Sequence, residues 1–224
     1  MPEEIWNKVD DYLDKMIVDQ DHALLAALKD SEEADLPPIN VSPPQGKMLH
    51  ILARSLSAKR ILEMGTLGAY STIWLARALP DDGEMLSLEV NQKHAEVSRR
   101  NLERANLSKK VKIILGPALD SLSTLYKNGS KPFDFIFIDA DKQNYPGYFD
   151  WAIKLSHSGS MIVVDNVVRK GSIIETGNTD PNVKGVKEML SSIRSYKNII
   201  ATAIQTVGVK GHDGFALIYV TGSS

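Results

Sequence analysis

No cysteine occurs anywhere in the 224 residues, which excludes disulfides, thiolate nucleophiles and Cys-ligated zinc. Histidine is sparse: His22, His50, His94, His157 and His212 are scattered without metal-ligand spacing, so an imidazole-held zinc is not expected. No apolar run is long enough to cross a bilayer, and the opening MPEEIWNKVDD is acidic and mixed rather than an apolar signal core. Neither sign of charge is in excess. The net charge of -2 leaves no basic footprint for nucleic acid. Internal repeats and low-complexity tracts are missing as well. What remains is an ordinary globular composition, 43% hydrophobic and 24% charged, on a chain long enough to bury a sizeable core. The expectation is one domain over residues 1–224, cytoplasmic, with no membrane partner. Residues 1–57 would form a helical cap and connector, and 58–224 an α/β core.

The first third carries helical spacing. Ile5, Val9, Leu13 and Met16 form one apolar face, and Leu24, Leu25 and Leu28 form another after Asp19, a candidate cap. Four prolines between Leu36 and Pro44 predict an extended connector, with a helix resuming at Gln45. From Lys59 short apolar runs alternate with helical patterns. Strands are predicted at Arg60–Met64, Glu84–Glu89, Val111–Leu115, Phe133–Asp139 and Ser160–Asp165. Helices are predicted at Ser71–Leu79, Asn91–Ala105, Pro117–Tyr126 and Tyr145–Leu155. This alternation builds βαβ units. Two last runs, Ile199–Val207 and Phe215–Val220, are joined by too little chain for a crossover helix. The predicted fold is therefore α/β and Rossmann-like: a seven-stranded, mostly parallel sheet with one antiparallel strand and helices on both faces.

Ligands of such a sheet collect beyond the carboxyl ends of its strands. The first strand runs into LEMGTLGAYSTIWLA, where Gly65 and Gly68 permit a tight turn and close approach of a ligand. Ser71 follows at a helix start, and Glu89 closes the next strand, placed to bind both hydroxyls of a ribose. The Gly-x-x-Gly spacing after Glu63 is not the dinucleotide fingerprint, though a nicotinamide-dependent oxidoreductase stays open as an alternative. An acid at Glu63 would repel a pyrophosphate but suit an ammonium or sulfonium, and S-adenosylmethionine carries both.

Two further strands end in acid. Asp139 follows FIFI, and Asp165 with Asn166 follows MIVV. Two carboxylates and an amide oxygen form a donor set for a hard divalent cation. Asp141 reads as an ordinary loop acid.

VSPPQGKML, ILEMGTLGAYSTIWLARAL, FIDADKQNY and VVDNVVRKG, in this order, resemble the motifs of the cation-dependent S-adenosylmethionine O-methyltransferases of the caffeoyl-CoA and catechol type. The resemblance runs from about Val41 to the C-terminus. It implies that Glu63, Gly65, Thr66 and Ser71 line the methionine half of the cofactor, with Val41 closing over it. It implies Glu89 at the ribose, Ala118 at the adenine, and Asp139 and Tyr148 completing the pocket. Asp139, Asp165 and Asn166 would hold Mg²⁺, with Mn²⁺ or Ca²⁺ as alternatives. Lys142 would assist deprotonation of the acceptor, forming a catalytic set with Asp139 and Asn166.

The implied acceptor is a small vicinal-dihydroxy aromatic: a catechol, flavonoid or hydroxycinnamate. A region before the motifs that is short for the plant caffeoyl-CoA enzymes favours such an acceptor over a CoA thioester. A transfer-RNA hydroxyuridine, the acceptor of some bacterial relatives, is disfavoured by the slight acidity. The acceptor pocket is expected from the N-terminal helices, the Leu36–Pro44 connector and the loop after Asn166. Trp6, Trp151 and Tyr145 are candidates to stack on it, with Trp151 read as core. Arg169 and Lys170 could meet an acidic acceptor, with solvated loop charges the ordinary reading. The apolar N-terminal faces suggest a homodimer.

Overall fold

The computed structural model describes residues 2–222. Three helices come first: α1 (Pro2–Ile17), α2 (His22–Glu33) and α3 (Pro43–Ser55). Then β1 (Arg60–Met64), α4 (Tyr70–Ala76), β2 (Glu84–Glu89), α5 (Gln92–Arg104), β3 (Val111–Leu115), α6 (Ala118–Lys127), β4 (Phe133–Ile138), α7 (Tyr145–Lys154) and β5 (Ser156–Val164) alternate. α8 (Pro181–Ser192), β6 (Ile199–Gly208) and β7 (Gly211–Val220) complete the chain. One seven-stranded sheet has the order β3-β2-β1-β4-β5-β7-β6. Only β7 runs against its neighbours. The Rossmann-like α/β expectation holds.

The central strands are apolar on both faces because helices cover both. Ile61, Phe135, Phe137 and Val163 point to one core, shared with Leu24, Leu49 and Trp74 of α2, α3 and α4. Leu62, Ile136, Ile138, Ile162 and Val164 point to the other, shared with Leu122, Phe149 and Met189 of α6, α7 and α8. Neighbours in sequence thus serve opposite layers, as the two-residue period requires. Trp151 packs against the second core, as read from its helical spacing.

Several boundaries differ for identifiable reasons. α2 is capped by Asp21, which accepts from the Leu24 N–H at 3.1 Å, rather than by Asp19. α3 starts two residues early because Ser42 caps it and Pro43 and Pro44 fill its first turn, where no N–H is needed. Two of the connector prolines are therefore helical. α8 was not singled out from the sequence, although Asp180 caps it and Pro181 opens it.

The strand order reverses between β1 and β4, which opens a crevice at their carboxyl ends. Gly65 is the point of closest approach. Its φ is +98°, and a Cβ there would lie 2.2 Å from the Asp139 carbonyl oxygen, so β1 and β4 can end side by side only with glycine at this position.

Candidate active site

A cavity of about 700 Å³ occupies that crevice, within the size range of small-molecule sites. Val41, Gly65, Thr66, Ser71, Glu89, Ala118, Asp139, Lys142, Tyr148 and Asn166 all line it. The topology brings them together from five strand ends or loops and the connector before α3.

Glu63 sits beneath this wall rather than in it. It is fully buried, and its carboxylate accepts from the hydroxyls of Ser71, Thr72 and Ser87 at 2.6–2.7 Å. Burial pushes its pKa up to about 7, against the opposing pull of the three hydroxyls. Any influence of Glu63 on a ligand therefore passes through Ser71 and through the field of its charge.

Glu89 does face the cavity. Its two oxygens are oriented by backbone N–H groups, Leu67 on one and Asn91 on the other, both at 2.9 Å. The loop after β1 is bolted down from α5: Ser98 donates to the Leu67 carbonyl at 2.6 Å and Asn101 to that of Gly68 at 3.0 Å. Leu67 and Ala69 adopt positive φ there, a strain that this clamp sustains. Neither Ser98 nor Asn101 was flagged from sequence. Both lie on the inner face of an otherwise highly charged helix, and a polar residue at an inward position was the available signal.

At the end of β4, Lys142 donates to Asp139 Oδ1 at 2.7 Å. Asp165, at the end of β5, is 5% exposed and accepts from the Asn166 N–H at 2.8 Å. Burial, followed by the nearby charge of Asp139, pushes its pKa up to about 7; the side-chain amide of Gln45 opposes this. Gln45 was read only as a helix start. Among the described residues no group of three His, Cys, Asp or Glu could hold a metal ion. The oxygen-bearing side chains at these two strand ends are two carboxylates and the Asn166 amide, with Asn166 itself at φ +55°.

Asp141 has partners of its own. It accepts from the Tyr148 hydroxyl and the Asn144 amide. Tyr145 cannot stack on a ligand: it is fully buried, and its hydroxyl donates to the Asp165 carbonyl at 2.9 Å. That expectation is corrected, because the ring is needed under the strand end it supports.

A second cavity of about 510 Å³ adjoins the first, and Ile39, Asn40, Val41, Asn166 and Arg169 line both. Asp165, Gln45 and Met48 form its inner side. Its outer wall is the tip of the β6–β7 hairpin, from Thr206 to Gly211, which the sequence marks only as a strand end and a short connection. The hairpin is held from two sides. Val209 N–H donates to Asp10 of α1 at 2.8 Å, and Lys210 donates to the Pro38 carbonyl at 3.0 Å. Trp6 does not line either cavity.

The chain matches the model of the O-methyltransferase family over residues 15–218. It is similar to a catechol O-methyltransferase of Niastella koreensis, 46% identical over 220 residues, covering 98% of this chain and 100% of that protein. The O-methyltransferase from Bacillus cereus in complex with SAH superposes with a TM-score of 0.96 at 48% identity, covering 97% of this chain and 99% of that one. TomG from Streptomyces achromogenes, an O-methyltransferase involved in tomaymycin synthesis and solved with SAM, gives 0.96 at 47% identity, covering 99% and 100%.

Proposed function

This chain belongs to the O-methyltransferase family, and from that premise we propose that it methylates one hydroxyl of a vicinal-dihydroxy aromatic with the aid of a divalent cation. It is an S-adenosylmethionine-dependent enzyme of the catechol and caffeoyl-CoA type. The oxidoreductase alternative is set aside by family membership.

The residues present fit a cation. Asp165 is a nearly buried carboxylate whose pKa is pushed up by burial and by a second carboxylate, Asp139. A hard divalent ion would relieve both effects, and the all-oxygen donor set of Asp139, Asp165 and Asn166 suits one. When bound, the cofactor's sulfonium would supply the methyl group, and a cation held by Asp139, Asp165 and Asn166 would supply positive charge that favours loss of the acceptor's proton.

The chain's own residues would do the rest. A free phenol has a pKa of about 10, so the acceptor must lose a proton before it attacks. Lys142, whose ammonium is held 2.7 Å from Asp139, would accept that proton at Nζ only as the neutral amine, a form that a cation drawing on Asp139 would favour. Glu89, Gly65, Thr66 and Ser71 would hold the cofactor in the first cavity. The acceptor would occupy the second, so that nucleophile and methyl carbon meet at the shared wall of Val41 and Asn166. The Pro38–Val41 connector would screen that meeting point from water.

The observation that carries the reading is this junction: the Asp165–Asn166 pair borders the second cavity, and Asn166 borders both. The test is transfer of labelled methyl from S-adenosylmethionine to catechols, flavonoids, CoA esters and transfer RNA, with and without Mg²⁺. Turnover of a vicinal diphenol only with the metal supports the reading. Turnover confined to monohydroxy acceptors or to RNA defeats it.

A homodimer is proposed on the same footing. β6 is a ten-residue edge strand exposed on both faces, beside the exposed Ile5, Val9, Tyr12 and Met16 of α1. Long open apolar edges are normally covered.

A further inference from the structure

We propose that Arg169, held in position by Asp213, selects acceptors that carry a carboxylate on or near the catechol ring, the dihydroxybenzoate and dihydroxycinnamate class. This rests on the acceptor reading of the second cavity.

The first observation is an unpaired cation. Arg169 lines both cavities, and its Nε is buried with no hydrogen-bond partner. Among the described residues its guanidinium makes no salt bridge and no side-chain hydrogen bond. A half-buried guanidinium without a partner is costly, and such a group is the donor fork that matches a carboxylate.

The second observation is independent, and concerns the backbone. Arg169, Lys170 and Gly171 adopt φ of 54°, 55° and 89° in succession. Two non-glycine residues in the left-handed region are strained. One side chain sustains the arrangement: Asp213 Oδ1 accepts from the N–H groups of Val168, Arg169 and Gly214, each at 3.0 Å. Asp213 comes from β7, 44 residues along the chain, so two distant segments are tied together at the point where Arg169 meets the cavity.

The third is charge balance around the second cavity. Its acids are Asp10, Asp165 and Asp213; its bases are Arg169, Lys170 and Lys210. Asp10 and Asp213 are already engaged by backbone N–H groups. Asp165 faces the proposed cation. With that cation in place the cavity presents surplus positive charge, and Arg169 stands at the junction where the acceptor's ring must lie. An acidic substituent would satisfy it.

The test compares kcat/KM for 3,4-dihydroxybenzoate with that for 3,4-dihydroxybenzamide, its neutral counterpart, using the full chain with S-adenosylmethionine and Mg²⁺. The wild type is expected to prefer the acid. Arg169→Gln should lower the acid-to-amide ratio about tenfold or more, mainly through KM of the acid, and Arg169→Lys should recover part of it. Asp213→Ala should lower the ratio too, whereas Asp213→Asn, which keeps the accepting oxygen, should restore it. A wild type indifferent to the carboxylate, or an Arg169→Gln ratio that does not move, overturns the proposal while leaving methyl transfer intact. No transfer to either compound or to catechol itself overturns the acceptor reading, and this proposal with it.

Discussion

The ammonium of Lys142 lies 2.7 Å from Oδ1 of Asp139, three residues away, and both side chains are more than four-fifths buried. Lys142 is thus anchored at the strand end where, on the proposed mechanism, the acceptor's proton would leave. Lys142→Met is expected to lower kcat by about 10²-fold, with KM for S-adenosylmethionine changing by less than about threefold. Steady-state kinetics from pH 7 to 9.5 check this. The variant should recover rate as alkali ionises the acceptor.

Removal of a proposed cation ligand should show in stability as well as rate. Mg²⁺ at about 100 times its Kd should stabilise the wild type by about 2.7 kcal/mol. Asp165→Ala should lose that increment along with methyl transfer. Calorimetry with Mg²⁺ and with EDTA measures both proteins without any acceptor present.

Glu63 gives a pH dependence with a definite sign. Its pKa is raised to about 7 from an ordinary 4.5, so its contribution to stability is fully present below pH 4.5 and is lost as pH rises through 7. The loss is on the order of 3 kcal/mol between those limits. In the cofactor-free protein, Glu63→Gln should flatten that part of the profile in urea melts at pH 5 and pH 8.5.

A second titration lies at the opposite end of the sheet. His157 Nε2 is 2.8 Å from Asp134 Oδ1. Burial opposes the charged ring, but the hydrogen bond and the charge of Asp134 prevail and raise its pKa above 6.5. The pair's stabilisation is therefore present below pH 6.5 and lost as pH rises through the raised value. Because the ring is 42% exposed, the effect should stay below about 1 kcal/mol. His157→Gln should cost more at pH 5.5 than at pH 9, with no change in methyl transfer.

The turn at Gly65 tolerates no side chain. A Cβ would meet backbone at 2.2 Å in a residue with φ +98°, and backbone cannot rotate away as a side chain can. Gly65→Ala should destabilise by on the order of 2 kcal/mol or more and weaken cofactor binding. Thermal melts and titration with S-adenosylmethionine check the two effects separately.

The sheet was legible in the sequence because strands buried on both faces write continuous apolar runs, as Phe133–Ile138 does. Strand-end acids were legible for a related reason: Asp139 and Asp165 break those runs abruptly. Long-range convergence was not. Nothing local to Asp213 says that it pins Arg169, and nothing in VKGHDG says that the hairpin tip walls a cavity. The burial of Glu63 also stayed hidden, since its three hydroxyl partners lie 8, 9 and 24 residues away. Tyr145 misled because an aromatic beside an active-site motif serves equally well as substrate platform or as buried support.

Transfer of labelled methyl from S-adenosylmethionine to a vicinal diphenol, measured in Mg²⁺ and then in excess EDTA, tests the account most directly. The predicted result is turnover in Mg²⁺, a fall of at least about 10²-fold in EDTA, and recovery when Mg²⁺ is restored. An undiminished rate in EDTA would contradict it.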